Sequence, residues 1–160
     1  MKKVVISIYD EVMKITTEGG YAHTVGTIDN ASWELCSEEI ARNDYENRGV
    51  VDGQLKNGGV YFPSENFVMP FGCGVAKIID DVEVPDIVKP MEYKYIDGEF
   101  VINAPVRRRN IYSELEALDT TINRATEDLY KATGTIPHEA IAKIMQEKEQ
   151  LRAELKELGE

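Results

Sequence analysis

The sequence predicts an α+β protein: a small β-rich N-terminal core with one helix, a β-hairpin ribbon, and a C-terminal antiparallel two-helix coiled-coil hairpin. Three observations carry this reading. Ile111, Leu115, Leu118, Ile122, Ala125 and Leu129 recur at alternating spacings of four and three, and so do Ile141, Ile144, Lys148, Leu151, Leu155 and Leu158, which is the a/d pattern of a helical seam. Short β-branched and aromatic runs broken by glycine-rich turns fill the chain up to Ile79, as in a sheet of short strands. Asp97-Gly98 stands between Tyr93-Lys94-Tyr95-Ile96 and Glu99-Phe100-Val101-Ile102, and Asp-Gly between such runs fits a type I′ hairpin turn. The expected divisions are a core at 1–90, a ribbon at 91–103 and a helical hairpin at 104–160.

Val4 to Tyr9 is a short apolar run that reads as a strand. Val12 to Thr17 alternates, and Glu18-Gly19-Gly20 offers a turn into Tyr21-Ala22-His23-Thr24-Val25, so these two segments read as a hairpin. Ser32 precedes Trp33, Leu35, Cys36, Ile40 and Ala41 amid several acids, which predicts a helix of about three turns ending before Asn47-Arg48-Gly49. The glycosylation-type triplet Asn30-Ala31-Ser32 reads as part of that helix's cap. Val50 to Ile79 reads as tightly connected strands. Asp80 to Pro90, with charge and two prolines, reads as an extended connector.

A two-stranded ribbon is marginal alone in water, so Tyr93–Ile102 must pack on the core, the arm or another subunit. In the arm, Gly134 and Pro137 punctuate the two seams, since glycine supplies the left-handed position after a helix and proline fits a first helical turn. A turn centred there sets Leu118 against Leu151, Leu115 against Leu155 and Ile111 against Leu158. Lys148 is the one ion in the seam. Such a residue can fix register, and the expectation is that its long stem carries the ammonium outward.

Twenty-nine acidic against 18 basic residues give a net charge of −11, which repels nucleic-acid phosphate and anionic membranes. No nucleic-acid or membrane partner is expected. Residues 1–98 hold 17 acids and 9 bases, so the globular part carries most of the excess. The N-terminal apolar run is too short for an export signal. Cys36 and Cys73 are too few for a disulfide framework and suit a reducing compartment.

No catalytic or cofactor motif emerges. Cys73 lies in Pro70-Phe71-Gly72-Cys73-Gly74, where glycines could expose a nucleophilic thiol. Nothing places His23 or His138 beside it, and a small residue in a glycine-rich bend is the simpler account. Cys36, Cys73, His23 and His138 lack the close ligand pairs of a zinc site. The adjacent carboxylates of Glu38-Glu39 and Asp80-Asp81 diverge in direction and read as solvated surface. Neither a dinucleotide fingerprint nor a phosphate loop is present. The expectation is a non-enzyme without cofactor or metal.

Arg107-Arg108-Arg109 opposes a helix dipole if it opens the first long helix. One reading starts that helix after Asn110, with the arginines outside as a basic lead-in. A partner contact is the other use of such a cluster. Tyr112, Tyr130, Ile136 and Met145 flank the seam and extend its apolar surface. With the three arginines at the rim, these seven residues form the expected interaction surface of a homo-oligomer or heteromeric complex.

The Tyr93–Phe100 ribbon, the basic Arg107-Arg108-Arg109 lead-in, Glu116-Ala117-Leu118-Asp119 and the closing Glu149-Gln150-Leu151-Arg152-Ala153-Glu154-Leu155 helix resemble small proteins encoded in the tail-fibre and baseplate neighbourhood of bacteriophages. Residues 1–90 carry no part of the resemblance. It implies a non-enzymatic role in tail assembly, as structural accessory or fibre chaperone, with a phage tail or fibre protein as partner. It also implies a location in the host cytoplasm or the virion tail. The rival expectation is an acidic phage-encoded inhibitor of a host defence protein, its 1–98 surface occupying a basic groove.

Overall fold

A computed structural model describes residues 1–134 and 138–159, and gives Ala125, Glu127, Tyr130, His138 and Ala140 as backbone alone. Helix and strand are mixed, with several small sheets. Along the chain come β1 (Lys2–Ser7), β2 (Val12–Thr16), β3 (Gly20–Thr27), β4 (Asn30–Leu35), α1 (Glu38–Glu46), β5 (Gly49–Val51), β6 (Gln54–Lys56), β7 (Gly58–Phe62), β8 (Phe67–Pro70), β9 (Val75–Val82), β10 (Tyr93–Ile96), β11 (Glu99–Ile102), α2 (Ala104–Thr133) and α3 (His138–Glu157). Contacts divide the chain into two units, Met1–Ile102 and Asn103–Glu160.

In the first unit β1 is the middle strand of the antiparallel sheet β2-β1-β9, and β4-β3-β7-β8 form a second antiparallel sheet. Successive side chains of a strand point to opposite faces, and β1 is apolar on both. Val5 joins Ala41, Val60, Phe62, Phe71 and Val75 in one fully formed core. Val4 and Ile6 join Val12 and Val82 in another, covered by Tyr93, Tyr95 and Phe100. The unbroken Val4-Val5-Ile6 run is therefore a strand buried on both sides. The β10–β11 ribbon supplies the cover for the second side. It is tied there by hydrogen bonds from Met91 N–H to Val12 O (2.6 Å) and Tyr95 N–H to Asp10 O (2.8 Å). The ribbon at 91–103, expected to pack on the core, the arm or another subunit, packs on the core, because Val4, Ile6 and Val12 would otherwise face water.

Two local expectations are corrected. β2 pairs with β1 rather than β3, so Glu18-Gly19-Gly20 passes the chain from one sheet to the other. Gly19 has φ +102, and a Cβ there would lie 2.3 Å from the Phe62 ring. The helix expected from Ser32 begins six residues later. Asn30–Leu35 instead pairs residue by residue with β3 across a two-residue Ile28-Asp29 turn, and these cross-strand pairs override the helical spacing. Asn30-Ala31-Ser32 lies in a strand. The cap of α1 is Ser37, whose hydroxyl accepts the Ile40 N–H (3.3 Å), with Glu38 and Glu39 favourably placed in the first turn.

In the second unit α2 and α3 share an apolar cluster of Ile111, Leu151 and Leu155, against which Leu115, Leu118 and Leu158 pack. Ion pairs join Arg107 to Glu154 and Asp119 to Lys148, so rising positions on α2 meet falling positions on α3. Lys148 is 7 % exposed and bonds the Asp119 carboxylate. It is held inside rather than carried outward. Gly134 has φ +68, while Thr135, Ile136 and Pro137 of the expected turn lie outside the described residues.

Candidate functional site

α2 begins at Ala104, with Arg107 N–H bonding Asn103 O (2.9 Å). The arginine run therefore lies inside the helix, contrary to a start after Asn110. Their unfavourable position near the dipole's positive end is answered by specific partners. Arg107 grips Glu154 with two parallel bonds, Nε to Oε1 (2.6 Å) and Nη2 to Oε2 (2.8 Å), and reaches Glu114 through Nη1 (2.7 Å). Its side chain is 13 % exposed. This fork-to-fork geometry is the strong form of an ion pair, and it makes Arg107 an internal clamp of the helix pair, not a rim contact.

Arg108 turns the other way and donates from Nη1 to Leu158 O (2.7 Å) beyond the end of α3. Arg109 is exposed, and Tyr112, one turn on, is also exposed. Arg108, Arg109 and Tyr112 line one open groove of about 620 Å³ together with Pro105, Ser113, Glu116 and Gly159. Three of the seven expected interaction residues are thus brought together. Met145 is exposed but is separated from Glu154 by nine helical positions, about 13 Å along the axis, and lies outside the groove. The Tyr130 side chain and Ile136 fall outside the described residues.

Chemically, the groove offers guanidinium donors, a phenol, a serine hydroxyl and the apolar ring of Pro105. Arginine and tyrosine dominate binding energy at protein interfaces because they combine a large flat apolar area with directed hydrogen bonds. Glu116 gives the groove a counter-charge, so it suits a mixed polar and aromatic protein surface better than a simple anion.

A second cluster, in the first unit, was not singled out from the sequence. Asp44 on α1 is 3 % exposed, and its carboxylate meets His23 Nδ1 at 2.9 Å and Lys56 Nζ at 3.3 Å. Burial alone would raise its pKa, yet the hydrogen bonds from His23 and Lys56 and their charge more than offset that and hold it below the usual value. A small cleft of about 160 Å³ opens beside it, lined by His23, Thr24, Asp44, Leu55 and Lys56 among others. The spacing of Asp44 three positions after the buried Ala41 on one helix face was the available signal. The Thr24 hydroxyl, which lines the cleft, already donates to Leu55 O (2.8 Å).

Cys73 is exposed in a 3₁₀ turn spanning Phe71–Cys73 and is not part of the His23 cleft. Cys36 is half-buried, and burial followed by the Asp44 charge pushes its thiol pKa up, away from the thiolate a nucleophile needs. Among the described residues no group of three or more His, Cys, Asp or Glu side chains is gathered for a metal ion. None of the described helices is long and apolar enough to cross a membrane. The chain matches no protein-family model, no curated protein and no solved structure.

Proposed function

We propose that this chain is a non-catalytic assembly protein whose C-terminal helices, an antiparallel coiled-coil hairpin, dock onto a phage tail or fibre protein as structural accessory or fibre chaperone. One observation carries the reading: Arg108, Arg109 and Tyr112 line an open groove on helices already locked by Arg107 to Glu154 and Glu114. A surface held rigid before contact loses less entropy on binding, and its exposed groups are those that interfaces favour.

The test is capture from phage-producing bacteria with tagged full-length protein, alongside an Arg109→Glu/Tyr112→Ala variant. The parent should retain a tail or fibre protein, and the variant should retain at least about tenfold less with an unchanged far-ultraviolet spectrum. Equal recovery by both, or recovery of a host defence protein through a variant-insensitive surface, overturns the docking reading. The latter outcome would put the acidic-inhibitor reading in its place.

A further inference from the structure

We propose that two copies of this protein associate by pairing β4 with β4 antiparallel about a twofold axis at Trp33, joining their four-stranded sheets into one. Self-association, expected from the sequence at the helical arm, is thereby placed in the first unit, and it stands whether or not the arm binds a partner.

An unpaired sheet edge is a template for another strand, and proteins usually block it. β9 is blocked by Tyr21, whose hydroxyl accepts the Ile78 N–H (3.1 Å), and by Arg42, which donates to Ala76 O (2.6 Å). β2 is met at Val12 by the Met91 N–H, the two residues before it are met by Tyr95 and Lys94, and the strand itself carries Lys14. β8 is four residues long and ends in Pro70, which has no N–H to offer. Among the described residues β4 alone of these four edges is long and unguarded. It has six residues, no proline, no lysine and no bulge.

Parity shows which groups are free. Cys36 N–H bonds Tyr21 O and Thr24 N–H bonds Asn57 O, so odd residues of β3 face β4 and even residues face β7. Hence Asn30, Ser32 and Glu34 bond β3, while the N–H and C=O groups of Ala31, Trp33 and Leu35 point outward. No protein partner meets them among the described residues. Ala31, Trp33 and Leu35 stand opposite Gly26, Thr24 and Ala22, on the face of the sheet that turns away from the core in which Val60 and Phe62 lie with Tyr21 packed against them. Leu35 is left 54 % exposed.

The strand is complementary to its own reverse. Centred on Trp33, the pairing uses all three outward residues, with Trp33 on its symmetry mate and Ala31, a small residue, opposite Leu35, a large one. Ser32 then faces Glu34, so no like charges oppose. Sliding one way strands Leu35, and sliding the other sets Glu34 against Glu34. An isologous contact repeats each pair twice, which doubles the effect of any substitution.

Trp33 is the single tryptophan and reports directly. In full-length protein, sedimentation should show a monomer–dimer equilibrium between micromolar and millimolar concentration, tightened by salt because the protomers are both acidic. Trp33 emission should shift to the blue in step with it. Ser32→Glu should weaken association about 2- to 30-fold by placing carboxylates opposite each other twice. Ser32→Lys should tighten it. Ser32→Lys/Glu34→Lys should weaken it again, although its net charge is the least negative. The proposal fails if the parent stays monomeric at millimolar concentration, or if it associates without a Trp33 shift. It also fails if both lysine variants tighten, which would mean bulk charge alone. Loss of association in Arg109→Glu/Tyr112→Ala but not in Ser32→Glu would return the contact to the arm.

Discussion

Replacing Gly58 by alanine sets a methyl group against the backbone of α1. Its Cβ would lie 1.7 Å from Ala41 O and 2.6 Å from Ala41 C, so α1 must retreat by about 1.7 Å to reach an ordinary contact of 3.4 Å. Backbone cannot swing aside as a flexible side chain can. Ala41 is fully buried in the core with Val5, Val60, Phe62 and Phe71, and a gap of about 1 Å forfeits a quarter to a half of each dispersion contact. Such overpacking costs about 1–3 kcal/mol. The same movement carries Asp44 away from His23, whose bond at 2.9 Å has little slack, and a buried carboxylate losing a hydrogen-bond partner adds about 1–3 kcal/mol. Lower unfolded-state entropy returns about 0.4–1 kcal/mol. The net expectation is a loss of about 1–6 kcal/mol. In urea, with a slope near 1–3 kcal/mol/M, the midpoint should fall by more than about 0.3 M, and the His23 imidazole resonances should move. Gly53→Ala is the control: Gly53 has φ +78 and nothing within 4 Å of a Cβ, so only backbone strain of about 1–2 kcal/mol applies. A Gly58→Ala midpoint within about 0.3 M of the parent at unchanged slope would refute the steric argument, as would a larger loss for Gly53→Ala.

Asp44→Asn should be less stable than the parent at pH 7. Because the folded carboxyl titrates below its unfolded value of about 3.9, its contribution is fully present above that value and is lost as pH falls through the folded pKa. The gap between parent and variant should therefore close below about pH 4, and a constant gap from pH 7 to pH 2 would contradict the assignment. In the arm, Leu155→Ala, at a site 5 % exposed, should cost about 2–4 kcal/mol. Circular dichroism at 222 nm would follow that loss. A change under about 1 kcal/mol would mean that the cluster with Ile111 and Leu151 does not stabilise the helix pair.

Patterns that repeat along the chain were legible without coordinates. The period of the leucines and isoleucines after Ile111 marked two helices, and Ile111, Leu115, Leu118, Leu151, Leu155 and Leu158 do share one cluster. Asp97-Gly98 marked the β10–β11 turn, for which no distant contact is needed. Such signals are local, fixed by residues within a turn or two of one another. Tertiary structure decided what local signals leave degenerate. Asn30–Leu35 carries helix-compatible spacing and became strand because β3 lay beside it. Arg107, identical in type to Arg108 and Arg109, turned inward because Glu154, 47 residues away, offered a two-pronged carboxylate. Asp44 met His23 and Lys56 only when α1 settled against Gly58. Side-chain type fixes what a residue can bond. Which partner arrives is set by the packing of elements far apart in the chain, and no local spacing records it.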